Sequence, residues 1–350
     1  MQREIARDIT GNLRLKLSGA DEQKLAKNHT VNPEAYQLYL KGRFYWNKRT
    51  PDNFRKAIDY FNKAIALDPN YALAYVGLAD AYALLSTFGA VPSREATLKA
   101  RESALTALSL EPSLGEPHAT LGLILTDYDF DFAAAEREFQ RAIELNPNYP
   151  TAHQWYGEML GYAGRFQESF AEYRRALEID PLSLPINWNY GRSIYYARRY
   201  DESLAQLKKT VELDASFAGV HRSLSYVYQS KGDYAASIEE FAKYLELIGD
   251  PAAAASVRET FATGGCSAFL RAMTGGQRLS GLPGVVPAYF VATYHAALGE
   301  KDKAFAKLDE ALAERYSDIE ILKVDPRLDF LRDDPRFAEL VRRAGLPQRS

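Results

Sequence analysis

Small residues recur along the middle of this chain with the period of a helical hairpin. Gly157, Gly191 and Ser225 stand 34 residues apart, and Ser169, Ser203 and Ser237 follow each of them after twelve. His153, Asn187 and His221 begin equivalent helices in the same 34-residue register. With longer turns inside the hairpin, the paired columns extend to Gly42 with Ala57, Ala79 with Ala100, Gly122 with Ala135 and Ala292 with Ala304, making seven helix pairs. A third small column holds Ala64, Ala107, Ala142, Ala176 and Ala311, with bulky Phe61, Phe139, Tyr173, Phe241 and Leu308 ahead of it. Small beside large predicts antiparallel helices in close approach, and each hairpin then has an apolar face that only a neighbouring hairpin covers. No single repeat is expected to fold alone. Proline lacks an amide donor and stops a helix, so Asp68-Pro69-Asn70, Glu111-Pro112-Ser113, Asn146-Pro147-Asn148 and Asp180-Pro181-Leu182 mark the turns between repeats.

The pattern resembles the tetratricopeptide repeat, W-x2-L-G-x2-Y, then A-x3-F, then P. Here it reads His118-x2-Leu121-Gly122 with Ala135-x3-Phe139 and Pro147, and His153-x2-Tyr156-Gly157 with Ser169-x3-Tyr173 and Pro181. The Trp column departs from the family, holding Leu38, Tyr75, His118, His153, Asn187, His221 and Ala288, so polar packing is expected there. The resemblance implies an all-α fold, a right-handed superhelix of seven to eight helix pairs with a C-terminal capping helix. The expected order is a lead-in helix in 1–30, repeats one to six in 31–250, a degenerate repeat and loop in 251–284, and a last repeat with its cap in 285–350.

Ile5, Ile9, Leu13 and Leu17 recur at helical spacing among charges, and Glu4 to Leu17 resembles the closing helix of a TolB-like domain. In bacterial multidomain regulators that helix is followed by something close to Asn32 to Gly42 and then by repeats. The stretch Asp325 to Leu340 and the terminal Gly345-Leu-Pro347 resemble those proteins too. The resemblance implies a regulatory part of a longer parent, carrying a winged-helix, serine/threonine kinase or nucleotide cyclase output domain. After the sixth repeat the array loosens. Val257, Phe261, Phe269 and Met273 are expected to form a degenerate hairpin, and Gly275-Gly276 with Gly281-Leu-Pro-Gly284 a loop.

Composition removes several functions. The 350 residues carry a net charge of −3, which does not supply the basic face expected of a nucleic-acid surface. Cys266 is the sole cysteine, so neither an internal disulfide nor a multi-cysteine metal site is available. No stretch approaches the ~20 apolar residues of a membrane span, and the start leads into no apolar signal region. A soluble chain is expected, cytoplasmic, or periplasmic if a span precedes it in the parent.

Candidate chemistry is sparse. Gly276-Gln-Arg-Leu-Ser-Gly281 is followed by Leu282 and Pro283 in place of the Lys and Ser/Thr of a phosphate loop. Asp127-x-Asp129-x-Asp131 with Glu138 approaches a calcium loop, but Phe132 stands where the loop needs glycine. Asp131 is expected instead to cap the helix that starts near Phe132. His118, His153 and His221 lie one per repeat, and helices packed at about 8 to 10 Å keep them from converging on a metal. No cofactor, metal or enzyme active site is expected.

What remains is a concave groove. The resemblance implies that first helices line it with their second, fifth, ninth, twelfth and thirteenth positions. These are Tyr36, Tyr39, Arg43, Trp46 and Asn47, then Asp80 and Asp127, then Gln154, Glu158 and Tyr162, then Trp188, Arg192, Tyr195 and Tyr196, then Arg222, Tyr226 and Gln229. Trp, Tyr and Arg dominate binding interfaces, which makes Trp188 to Tyr226 the strongest candidate. Tyr39 and Arg43, or Gln154 and Glu158, stand where a chaperone-tail clamp needs Lys and Asn. The function expected is a protein-interaction and signal-input module binding a peptide in the groove. The alternatives are a self-associating scaffold and a small-molecule sensor built on 252–284.

Overall fold

The computed structural model describes residues 30, 32–87, 93–275, 286–314 and 317–347. Residues 1–29, which hold the expected lead-in helix, and the Gly281–Gly284 loop lie outside them. Among the described residues there are sixteen α-helices and no β-strand. The chain forms two compact units, residues 1–113 and 114–350.

In the first unit, α1 (Pro33–Trp46), α2 (Pro51–Leu67), α3 (Ala72–Thr87) and α4 (Ser93–Leu110) form two hairpins. Asn32 caps α1 by accepting from the amides of Glu34 and Ala35, with Pro33 in the first turn where no amide partner is needed. The small column has a concrete cause. A Cβ at Gly42 of α1 or at Gly77 of α3 would come within 2.4 Å of the buried Phe61 ring of α2, so the ring sits against both backbones. Gly77 lies outside the columns read from the sequence and completes the slot.

The second unit opens with α5 (Glu116–Ile124), which runs into a π turn, Leu125–Asp129, and then α6 (Phe132–Leu145). Asp131 accepts from the Ala134 amide at 2.9 Å, the expected cap. Three more hairpins follow: α7 (Pro150–Tyr162) with α8 (Phe166–Ile179), α9 (Leu184–Tyr196) with α10 (Tyr200–Leu213), and α11 (Ala218–Ser230) with α12 (Tyr234–Leu247). Helices α5, α7, α9 and α11 pack side by side as one layer. The serine column does more than save space: Ser169 donates to the Gly157 carbonyl at 2.6 Å and Ser203 to that of Gly191 at 2.8 Å. Each bond ties the two helices of one hairpin at their closest approach.

In place of a regular seventh hairpin stands α13 (Pro251–Thr274), broken at Gly265, whose φ of 65° and ψ of −162° are open to glycine and strained for other residues. Val257, Phe269 and Met273 are buried against Phe241 and Leu245 of α12 and Tyr294, and Phe261 is partly covered by them. Helices α14 (Ala288–Ala297) and α15 (Lys301–Ala313) form the last pair. Two 3-10 turns, Ser317–Ile321 and Pro326–Leu331, lead to α16 (Pro335–Arg343). Phe337, Leu340 and Val341 of α16 face inward, while Arg336 and Arg343 reach Asp302 and Asp309 of α15 at 2.8 and 2.6 Å.

Candidate functional site

The aromatics of the first repeat are committed to packing. Tyr36 and Tyr39 cover a buried cluster of Ala35, Ala64, Tyr71 and Ala74, with Tyr39 edge-on to Tyr71 at 5.4 Å between centroids. Arg43 donates to Asp80 of α3 at 3.0 Å and stacks over Trp46 at 4.2 Å, with Arg49 over the same indole at 3.8 Å. A carboxylate with no exposed side-chain surface thus meets a guanidinium that lies over an aromatic ring.

The second unit brings its candidates together. Glu158 of α7 accepts from Tyr162 at 2.7 Å and from Arg192 of α9 at 3.2 Å, and Arg192 also donates to the Tyr196 hydroxyl at 3.0 Å. Burial alone would lower Arg192, but the Tyr196 and Tyr162 hydroxyls and the Glu158 carboxylate outweigh it and raise its pKa. Burial pushes Tyr196 up to about 12. Trp188 plays another part: its indole donates to Ser223 of α11 at 2.7 Å and packs against Phe217 and Gly219, joining two hairpins. Arg222 lies 5.6 Å from the Tyr244 ring, and Tyr226 receives Arg327 at 4.1 Å from its centroid.

Arg327 belongs to the irregular stretch after α15, which lies along this face. Arg198, in the turn after α9, donates to the Asp329 carboxylate through both Nε and Nη2 and to the Val324 carbonyl at 3.0 Å. Lys323 donates to the carbonyl of Ala163, at the end of α7, at 3.1 Å. Asp325 is fully buried; it accepts from Tyr289 at 2.9 Å and pairs with Arg327 at 2.6 Å. Burial alone would raise Asp325, but Arg327 and the Tyr289 hydroxyl outweigh it and hold its carboxyl below the usual range. Ile319, Ile321, Leu322, Leu328 and Leu331 bury their side chains alongside. Tyr162, Tyr195 and Tyr196 are each only 3 to 5% exposed.

One group in the stretch is mismatched. Glu320 is 5% exposed, and its Oε2 has no hydrogen-bond partner. Burial first, then the charges of Asp127, Asp318 and Glu158, push its carboxyl well above the usual range, and Arg192 opposes them.

The column usually held by Trp carries hydrogen-bonded pairs. His153 meets Glu172 at 2.6 Å and the Pro147 carbonyl at 3.0 Å, and His221 meets Glu240 and the Ala215 carbonyl at the same distances. One repeat between them, Asn187 donates to Pro181 and accepts from Gln206 at 2.8 Å. The polar packing expected between hairpins is found mainly within them, with one bond back to the preceding turn. No group of three His, Cys, Asp or Glu side chains suited to a metal is present among the described residues. Around α13, Tyr234, Phe261, Cys266 and Phe269 line only a shallow indentation with no room for a water molecule.

Sequence reasoning missed the contacts that the stretch after α15 makes with these helices. A signal was available in the turn positions: Gly164 and Gly232 adopt φ of 82° and 78°, and between them the 34-residue register places Arg198, at φ 62°. A long cation in a glycine position marks a side chain with a task.

The tetratricopeptide repeat family pattern matches residues 52–90, 131–183 and 191–256. Among curated proteins, the transcriptional regulator HilA of Salmonella typhimurium is 25% identical over 149 residues, 43% of this chain and 26% of the relative. The chain thus spans about a quarter of the length of that relative. Among solved structures, yeast Tom70 superposes with a TM-score of 0.50 at 16% identity, covering 90% of this chain and 69% of Tom70. The human IFIT1 dimer with PPP-AAAA gives 0.51 at 16% identity, covering 84% of this chain and 68% of IFIT1. These two likenesses concern the fold alone. No described helix is long and apolar enough to cross a membrane. The 34-residue columns, the glycine slots they create and the family pattern agree: residues 52–90, 131–183 and 191–256 of this chain carry tetratricopeptide repeats.

Proposed function

We propose that this chain is a protein-interaction module whose recognition surface is the inner face of α7, α9 and α11. The observation that carries this is that the face holds an irregular segment by the contacts a peptide would make. Arg198 grips a main-chain carbonyl and a carboxylate, Tyr226 stacks on an arginine, and Arg192 pairs with Glu158. Bonds to the backbone position a segment, and rigid aromatic and guanidinium groups select its side chains. The likeness to a transcriptional regulator and the resemblance of the chain's ends to bacterial multidomain regulators support a further step. In this reading the module is the input part of such a regulator, and occupancy of the face biases an attached output domain.

The test is capture of peptides from a displayed library by the full chain, repeated with Arg192→Glu and Tyr226→Ala. Each substitution is expected to lower capture at least tenfold with the helical circular dichroism unchanged. Undiminished capture by both variants contradicts the proposal.

A further inference from the structure

The stretch after α15 fits its place well at one end and badly at the other. From Val324 to Leu331 every polar contact is matched: Arg198 on Asp329, Tyr289 and Arg327 on Asp325, and Tyr226 under Arg327. The Ser317–Ile321 turn packs against the π turn that carries Asp127. There Glu320 is buried with one carboxylate oxygen unpartnered, and the charges that face it are Asp127, Asp318 and Glu158, opposed by Arg192. A buried carboxylate without its hydrogen bonds is costly, and like charges add to that cost. An occupant of opposite sign at that one position would gain what Glu320 loses.

Resting on the reading of this face as a recognition surface, we propose that the Ser317–Ile321 turn is a mismatched internal occupant, displaced by a partner peptide that presents lysine or arginine where Glu320 lies. The partner's cation would be received by Glu158 of α7 and Asp127 of the π turn once the Asp318 and Glu320 carboxylates have left. Arg192, already bonded to Glu158, Asn189 and Tyr196, would stay in place and hold the Glu158 carboxylate in position. Specificity then comes from a repulsive element in the internal occupant as well as an attractive one in the partner.

Two measurements on the full chain test this. Glu320→Lys is expected to slow amide exchange across residues 317–324 at least fivefold, and Glu320→Gln to slow it less. Isotope-labelled peptides of residues 317–332 are then added in trans to the wild-type chain. The peptide carrying Glu320→Lys is expected to speed exchange of the chain's own 317–324 segment at least tenfold, and the peptide of native sequence less than threefold. Faster exchange in Glu320→Lys than in wild type, or equal effects of the two peptides, overturns the proposal. If the lysine peptide displaces nothing while a library peptide is still captured through Arg192, only this inference falls. If no peptide is captured by the wild-type chain or by Glu320→Lys, the recognition surface falls with it.

Discussion

Arg198 holds Asp329 from a left-handed backbone position. Its φ is 62°, where the equivalent turns one repeat before and after use Gly164 and Gly232. A non-glycine residue there costs on the order of 1 to 2 kcal/mol, and the fold tolerates it at the one turn whose side chain reaches the covering segment. The same guanidinium also bonds the Tyr196 and Val324 carbonyls, so one residue closes the turn and fastens the segment.

That arrangement separates backbone strain from side-chain contact. Arg198→Ala keeps the strained turn and loses the contacts, so it is expected to lower stability by about 1 kcal/mol. Arg198→Gly loses the same contacts and relieves the strain, so its urea midpoint should stay close to wild type. Both should speed amide exchange in residues 317–332. A glycine variant less stable than the alanine one would contradict this.

The His153–Glu172 and Asn187–Gln206 pairs occupy the same two columns. His153→Asn alone strands Glu172 and should cost roughly 1 to 3 kcal/mol. Adding Glu172→Gln recreates the pair of the next repeat and should recover at least half of the lost urea midpoint, read as a double-mutant cycle. Purely additive losses would show that the columns are not interchangeable.

The covering segment should have a pH window. Glu320 is raised in the fold by burial and by Asp127, Asp318 and Glu158, against Arg192; its contribution is complete below the ordinary glutamate value and is lost as pH rises through the raised one. Asp325 is lowered by Arg327 and Tyr289, so its contribution is complete above the ordinary aspartate value and is lost as pH falls through the depressed one. The urea midpoint should therefore fall on both sides of a plateau, and Glu320→Gln should remove the alkaline fall alone. An alkaline limb unchanged in that variant would contradict the assignment.

Packing in the first unit is equally direct. Gly77→Ala places a methyl against the Phe61 ring and should destabilise by about 1 to 3 kcal/mol. The pair Gly77→Ala with Phe61→Leu should recover part of the loss in thermal melting, and no recovery would point to a cause other than the ring.

The repeat architecture was legible because its cause is local and periodic: Gly157, Gly191 and their serines mark where helices touch, and Asp131 reads as a cap from its neighbours. Gly77 escaped because its partner ring, Phe61, belongs to the preceding hairpin. The resemblance singled out Trp188 with Arg192, Tyr195, Tyr196 and Tyr226. It gave no sign that Trp188 would turn to Ser223, a contact decided by packing between hairpins. The 131-residue separation of Arg198 from Asp329 lies outside any period. What covers the face was therefore invisible in the spacing, although Arg198 in a glycine column pointed toward it.

A charge-reversal cycle at Arg198 and Asp329 tests whether the face formed by α7, α9 and α11 grips the segment after α15. Amide exchange across residues 317–332 is measured in wild type, Arg198→Asp, Asp329→Arg and the double variant. Exchange is expected to be at least tenfold faster in each single variant and within threefold of wild type in the double. Unchanged exchange in the singles, or losses that merely add in the double, would contradict it.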